Sequence, residues 1–351
     1  MTDADGSRLP ARGRERGLRV VSLGGGTGMA SLLSGLKKYV APTGRTPRIE
    51  ALTAVVAVSD DGGSSGRLRQ EFQILPPGDI RNCIVALSDH TALLSKLFQF
   101  RFNGSGDLGG HSLGNLLLTA LASVQGDFLQ AIRAASDVLA IKGTIYPATT
   151  TNVHLVADLA DGTRVKGESN ISKATSPISA VRLVPSDCRP LPETLAAIRA
   201  ADLITIGPGS LFTSIVPNLL VPGVADAIRT ARAKKVFVCN VMTQPGETAG
   251  MTASDHLRRV MEICGPGLID VALVNSVRPS PSAIRQYHHD GADPVAIDLA
   301  RFRQLGIGLR RRRVLSEYGA EGKPRVRKVR HDPDRLAREI VALSHQSGRR
   351  L

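Results

Sequence analysis

The 351-residue chain has no tryptophan, four tyrosines and eight phenylalanines, so aromatic residues make up only 3% of it. That scarcity removes the stacking platforms on which single-stranded nucleic acids are bound. The four cysteines, Cys83, Cys188, Cys239 and Cys264, are scattered with no CxxC pair. This excludes a zinc ribbon or a CxxC redox motif and reads as core thiols. No apolar run reaches the roughly 18 residues of a membrane-spanning helix, and the opening MTDADGSRLPARGRER has no signal-peptide core. The expected location is therefore the cytoplasm. HExxH is absent, and GPGSL (207–211) does not fit the GxSxG pattern of a serine hydrolase.

Charge is plentiful but displaced to the ends. The net charge is +14, of which residues 1–19 carry +2 and residues 310–351 carry +8, leaving +4 for the 290 residues between. RLRQEF, LRRRRV and KPRVRKVR are not interleaved with aromatics, so the excess reads as solvated charge or as a face for an acidic partner or anionic ligand. Nucleic acid is not an expected partner. Residues 1–17 and the tail 346–351 are expected to be disordered, leaving 18–345 as a single domain.

What the chain has in quantity is glycine, 35 residues of it, and much of it follows apolar runs. LRVVSLG (18–24) suits a buried parallel strand, and Met29, Leu32, Leu33 and Leu36 then fall at i, i+3, i+4 and i+7 on one helical face. LTAVVAVSDD (52–61) repeats the strand, followed by the loop GGSSG. TALLSKLFQF, SLGNLLLTALASV and DFLQAIRAASDVLAI read as helices, the last capped by Asp127. NVHLVADLADGTRVKGES alternates apolar and polar residues around Asp161-Gly162, a hairpin pattern, and with ISAVRLV makes a small insert at about 150–185. Strand-like runs return in LITI, KKVFV, LIDVALVNS and PVAID, and HDPDRLAREIVALSHQ reads as a helix with Asp332 as cap and Pro333 at its first position. The predicted fold class is α/β: a Rossmann-like parallel sheet with helices on both faces and a small antiparallel β insert.

The glycines have a use where strand meets helix. The first turn of a helix exposes unpaired N–H groups at the positive end of its dipole, and an anion docks there only if no side chain blocks it. Gly24, Gly25, Gly26 and Gly28 clear that approach while Thr27 keeps a hydroxyl. GGGTG is neither GxGxxG, whose third glycine would fall at Met29, nor a P-loop, since no Lys-Ser/Thr follows. After the second strand, Asp60 and Asp61 either cap a turn or accept from ribose hydroxyls or hold magnesium. Gly62, Gly63, Ser64 and Ser65 offer a second nest of amides, with Arg67 as countercharge. Asp79 and Asn82 follow a stiff Pro-Pro-Gly bend, where Asp79 reads equally as a helix cap. His111 and Asn115 are four apart, so they would share one helical face, with His111 either a core or a catalytic group. Gly207, Pro208, Gly209 and Ser210 end a further strand in a third phosphate-suited loop, and two such loops from distant parts of the chain suit a diphosphate.

GGGTG, VSDDGGSSGRLR, PPGDIRNC, GHSLGNLLL, GPGSLFTSIVPNLLV and CNVMTQPGET, in that order, resemble the gluconeogenesis factor (YvcK) branch of the CofD-like family over roughly residues 18–345. The resemblance implies a Rossmann-like fold and a nucleotide-diphosphate ligand. It implies a binder of UDP-sugars such as UDP-N-acetylglucosamine, needing no cofactor to bind, linked to carbon-source use, peptidoglycan precursor supply and cell shape. A protein partner in amino-sugar or cell-wall metabolism follows from that role, and a homodimer is expected. The GGGTG and GPGS loops would hold the diphosphate, with Asn82, His111, Asn115 and Asn240 lining the rest of the cleft. The family's other branch transfers phospholactate from a guanosine diphosphate derivative to a deazaflavin, which here would use Asp60 or Asp61 with magnesium. The chain lacks that branch's GDKD-like segment, which counts against the transferase alternative. VRHDPDRLA, with Arg330 and His331, is either a segment that closes over the ligand or a plain capped helix.

Overall fold

The computed structural model describes residues 16–40, 48–89, 92–320 and 323–344. The terminal stretches expected to be disordered lie outside the described residues, except Arg16 and Gly17. Arg16 forms exposed ion pairs with Glu50 (3.4 Å) and Asp202 (3.5 Å).

Among the described residues, twelve strands form three sheets. In chain order they are β1 (Leu18–Gly24), β2 (Ile49–Val56), β3 (Thr144–Pro147), β4 (His154–Leu159), β5 (Arg164–Lys166), β6 (Ile178–Val184), β7 (Leu203–Ile206), β8 (Lys234–Val238), β9 (Val271–Asn275), β10 (Gly308–Arg312), β11 (Leu315–Ala320) and β12 (Lys323–His331). The main sheet runs β10-β9-β8-β7-β1-β2-β3, with every neighbouring pair parallel. Such a sheet needs both faces covered, which is why its strands read as continuous apolar runs: β7 is buried at all four positions and Val20, Val21 and Leu23 of β1 are buried too. One polar pair sits at its centre, where Thr205 Oγ1 donates to Ser22 Oγ at 2.9 Å and so satisfies both buried hydroxyls.

The helices behave as their patterns predict. Helix α1 (Gly26–Leu36) buries Met29, Leu32, Leu33 and Leu36, the four residues of its apolar stripe, and packs on α3 (Gly78–Leu87) and on the helix Pro333–Ser344. Asp127 accepts from the Leu129 and Gln130 amides, and Asp332 accepts from those of Asp334 and Arg335 at 3.1 and 2.9 Å, so both expected caps form. Helix Pro192–Ala200 covers the other face against β1 and β3. β4, β5 and β6 make the antiparallel insert, turning at Gly162 with φ +84°. Among the described residues no single helix is long and apolar enough to cross a membrane.

Three differences from the sequence reading have physical reasons. β2 stops at Val56, not at Asp61, because its partner β1 ends at Gly24, whose carbonyl takes the last ladder bond from the Ala57 amide at 3.1 Å. PVAID is not a strand: Pro294 makes only an isolated bridge to Met242. Conversely, GLRRR is the edge strand β10 and the basic segment 323–331 pairs with β11 as a hairpin, charged sequences whose strand character apolar patterning does not reveal.

Gly35 is where α1 touches the helix that follows His331: a Cβ there would overlap the Pro333 carbonyl and crowd Ala337. In an open helix Gly→Ala stabilises by about 0.5–1 kcal/mol. Here the overlap reverses the sign. Gly35→Ala should destabilise by about 1–3 kcal/mol in urea unfolding, and a stabilised variant would contradict this packing.

Candidate functional site

β1 is the switch point of the sheet, with β2 on one side and β7 on the other, so connections leave its two flanks in opposite directions. Ligands of open α/β sheets bind in the crevice at the carboxyl ends of such strands. The GGGTG and GPGS loops are the segments leaving β1 and β7, and the structure brings them into contact. A Cβ on Gly28 would lie 2.9 Å from the Pro208 carbonyl oxygen, and one on Gly209 would lie 3.3 Å from that of Gly25. Gly26 adopts φ +65°, a left-handed conformation that glycine takes without strain. Gly25, Gly26, Thr27, Gly28, Pro208, Gly209, Ser210 and Asn240 line one cleft of about 320 Å³, at the lower end of the usual size for a small-molecule site. Gly24 and Gly207 lie beneath it in the backbone of the two strand ends.

Side chains hold the two loops together. Asn218, buried in the helix Val216–Leu220, donates from Nδ2 to the Gly24 carbonyl (3.0 Å) and to the Ser214 carbonyl (2.8 Å). Asn240 clamps Gly209 from both ends of its amide, donating to the carbonyl at 2.8 Å and accepting from the N–H at 3.3 Å. Gln244 Nε2 donates to Ser210 Oγ at 2.7 Å. Glu247 accepts from the Phe212 amide (3.2 Å) and the Thr213 hydroxyl (3.1 Å), capping the helical turn that follows GPGS. Its carboxyl is shifted above the ordinary range by burial.

The far wall draws in part on VRHDPDRLA, the segment read as closing over the ligand or as a plain capped helix. Tyr287 and Asp290, at the end of helix Pro281–His289, and Arg330 and His331 of β12 line the same cleft. Arg330 is exposed, with Nη1 donating to the Tyr287 hydroxyl (3.3 Å) and the Val329 carbonyl (2.9 Å), which holds a permanent cation at the cleft mouth. Tyr287 belongs to no motif. Asn218 carried a readable clue, as an amide inside the apolar run IVPNLLV, because a buried amide needs partners.

The other expected residues gather at the neighbouring end of β2 and are not among those lining the cleft. Gly62 and Gly63 lead into α2 (Gly63–Phe72). Ser64 Oγ lies 3.0 Å from His111 Nδ1 and accepts from Asn115 Nδ2, also at 3.0 Å. His111 and Asn115 therefore do meet, through Ser64 rather than as one helical face, since the helix begins only at Leu113. GGSSG at 62–66 fits GxSxG at a strand-to-helix turn, a match the sequence reading passed over. Ser64 is only 4% exposed, and its oxygen is held by a neighbouring amide, so the arrangement works as an interhelical tie. Burial, with Arg67 nearby, holds the His111 pKa below its ordinary value. Arg67 donates to the Gly109 carbonyl at 2.7 Å, anchoring the 105–110 loop.

Comparison with known proteins gives the family. A family model described as 2-phospho-L-lactate transferase CofD matches residues 20–315. The chain belongs to the CofD family. Two relatives named gluconeogenesis factor are 48% identical, from Halalkalibacterium halodurans (92% of this chain, 95% of the relative), and 45% identical, from Bacillus subtilis (93% and 98%). A crystal structure of a UPF0052-family protein from Bacillus halodurans superposes with a TM-score of 0.85 at 45% identity, covering 93% of this chain and 99% of that one.

In this CofD-family chain the two neighbourhoods communicate through carboxylates. Asp79, in the first turn of α3, accepts from the Gly26 amide, and a Cβ on Gly25 would strike its carboxyl. Asn82 donates to the same group. Burial and the charge of Asp60 push the Asp79 pKa up to about 6. Asp60, raised by burial, accepts from the Gly62 amide at 2.8 Å and from Ser65, whereas Asp61 accepts from the Ser169 amide at 2.9 Å. The pair expected to hold magnesium thus has two sets of partners, and among the described residues no three His, Cys, Asp or Glu side chains form a metal cage. A magnesium ion at Asp60 or Asp61 would need most of its oxygens from phosphate and water.

A carboxyl whose pKa is raised on folding binds its proton more tightly in the folded state, so stability falls as pH rises through the window from about 4 to 6 and is then level. A shift from 3.8 to about 6 corresponds to at most ~3 kcal/mol, less what water at its exposed edge recovers. Asp79→Asn should therefore stabilise the protein in urea unfolding at pH 8, by up to that amount, with the gain shrinking towards zero at pH 4. A gain independent of pH would contradict the shift.

Proposed function

We propose that this protein is a cytoplasmic regulatory binder of a nucleotide sugar, of the UDP-N-acetylglucosamine type, whose liganded state acts through a protein partner on carbon-source-dependent cell-wall precursor supply and cell shape. The observation that carries the reading is the meeting of two side-chain-poor loops, some 180 residues apart in sequence, at the sheet's switch point. Thr27 and Gly28 bring first-turn amides of an 11-residue helix to the cleft, Gly209 and Ser210 bring the second loop, and Arg330 faces them with a positive charge. Linked phosphoryl groups are the ligand chemistry that uses amides and a guanidinium together. Asp290 and Tyr287 at the other wall suit sugar hydroxyls.

Calorimetric titration with UDP-N-acetylglucosamine, with magnesium and with chelator, tests this. Saturable binding is expected, weakened at least about tenfold by Arg330→Ala, the loss of one charge-assisted contact. Gly28→Val, which forces the loops apart, should abolish it. No saturable binding at millimolar ligand would remove the proposal.

The description of the matched family model favours one second reading, a phospholactate-type transferase acting on a guanosine diphosphate derivative. It requires product formation on a deazaflavin acceptor in magnesium, lost in Asp61→Asn. Absence of product excludes it.

A further inference from the structure

A helix on the outside of a domain turns its apolar side inward, but α5 (Leu113–Gln125) does the reverse with most of its large side chains. Its buried residues are Gly114, Asn115, Leu118, Thr119 and Ala122, so polar and small groups fill most of the inner face. The bulk lies on the other side: Leu117 and Val124 are exposed, and Leu113, Leu116 and Leu121 are half-buried. With exposed Ala120 these positions fall at i, i+3, i+4, i+7, i+8 and i+11, one apolar stripe along the whole helix.

The preceding helix extends that stripe. α4 (Ala92–Gln99) packs on α5 and exposes Leu93 and Leu97, with Phe100, also exposed, just beyond its end. Leu93, Leu97 and Phe100 are spaced i, i+4 and i+7. The Phe100 carbonyl accepts from the Leu113 amide at 2.8 Å, so the end of one exposed row stands at the start of the other. Leu93, Leu97, Phe100, Leu117 and Val124 leave roughly 500 Å² of apolar side chain open to water, and the half-buried leucines add roughly 200 Å². That exceeds what a monomer ordinarily exposes in one patch and approaches the roughly 800 Å² that each partner buries in a stable dimer.

Charge selects the occupant. A two-fold contact sets the same surface of each copy against the other, so a face with a large net charge repels itself. The chain carries +14, yet residues 92–125 hold only Lys96, Arg101 and Asp107, a net +1. An acidic partner would find its cations elsewhere, in the arginines of 310–313 and in Arg327, Lys328 and Arg330. We propose that the outer faces of α4 and α5 form the two-fold interface of a homodimer, a second copy of this chain being the occupant. No residue of either helix lines the glycine-loop cleft, so the proposal stands apart from the identity of the ligand.

Sedimentation equilibrium on the full chain tests it. The unaltered protein should be a dimer at micromolar concentration. Leu117→Glu with Val124→Glu brings four carboxylates into one apolar contact and should raise the dimer Kd at least about 100-fold. Both side chains are exposed in the single chain, so the circular-dichroism spectrum should be unchanged. Leu117→Ser with Val124→Ser, a second variant that adds no charge, should raise the Kd at least about tenfold. Val184→Glu, at a comparably exposed apolar residue of the β insert, should leave the dimer as it is. An unaltered chain that stays monomeric up to about 100 μM overturns the proposal. So does a dimer that survives both double variants, or one that Val184→Glu dissociates as strongly as they do.

Discussion

Backbone meeting backbone at the carboxyl ends of β1 and β7 is the contact on which the site depends. Parallel order puts these strands side by side, and their loops can touch only because Gly28 and Gly209 carry no side chain where the other loop passes. Asn218 and Asn240 then fix that contact with hydrogen bonds to main-chain atoms of both loops. The amides that would otherwise be orphaned on the far side of each loop are taken by carboxylates, Asp79 for Gly26 and Glu247 for Phe212. What remains open faces one cleft.

That solution carries an electrostatic tension. A helix N-terminus offers an anion roughly half a positive charge, and ionised Asp79 beside it offers a full negative one. The carboxylate would win, were it alone. A pKa of about 6 lets a proton neutralise it in mildly acidic solution, and Arg330 adds a whole positive charge from the opposite wall. Asp60, Asp79 and Glu168 all lie above the ordinary carboxylate range, chiefly through burial, with the charge of Asp60 adding to the rise of the other two. Such a cluster favours protons or cations beside the glycine loops.

Much of the architecture was readable because buried parallel strands and amphipathic helices write themselves in apolar spacing. β1 lies where LRVVSLG predicts, and the stripe of α1 is the buried face. Short or charged elements, β3, β10 and the β11–β12 hairpin, carry no such pattern, since edge strands tolerate polar residues on most positions. At the site, the glycine loops were legible because removal of Cβ is visible in sequence. The opposite wall was legible only in part: VRHDPDRLA offered Arg330 and His331, and both line the cleft. Tyr287 reaches the cleft from an ordinary polar helix, and its role depends on tertiary approach to β12. The grouping of Ser64, His111 and Asn115 also came from packing: α2 and the helix from Leu113 meet there, and spacing alone suggested a different geometry.

The most direct measurement is a crystal structure of the protein with UDP-N-acetylglucosamine. The account predicts phosphate oxygens within hydrogen-bond distance of the Thr27 and Gly28 amides, with the GPGS loop and Arg330 against the same diphosphate. A ligand seated instead by Ser64 and Arg67, with its phosphates touching neither glycine loop, would contradict it.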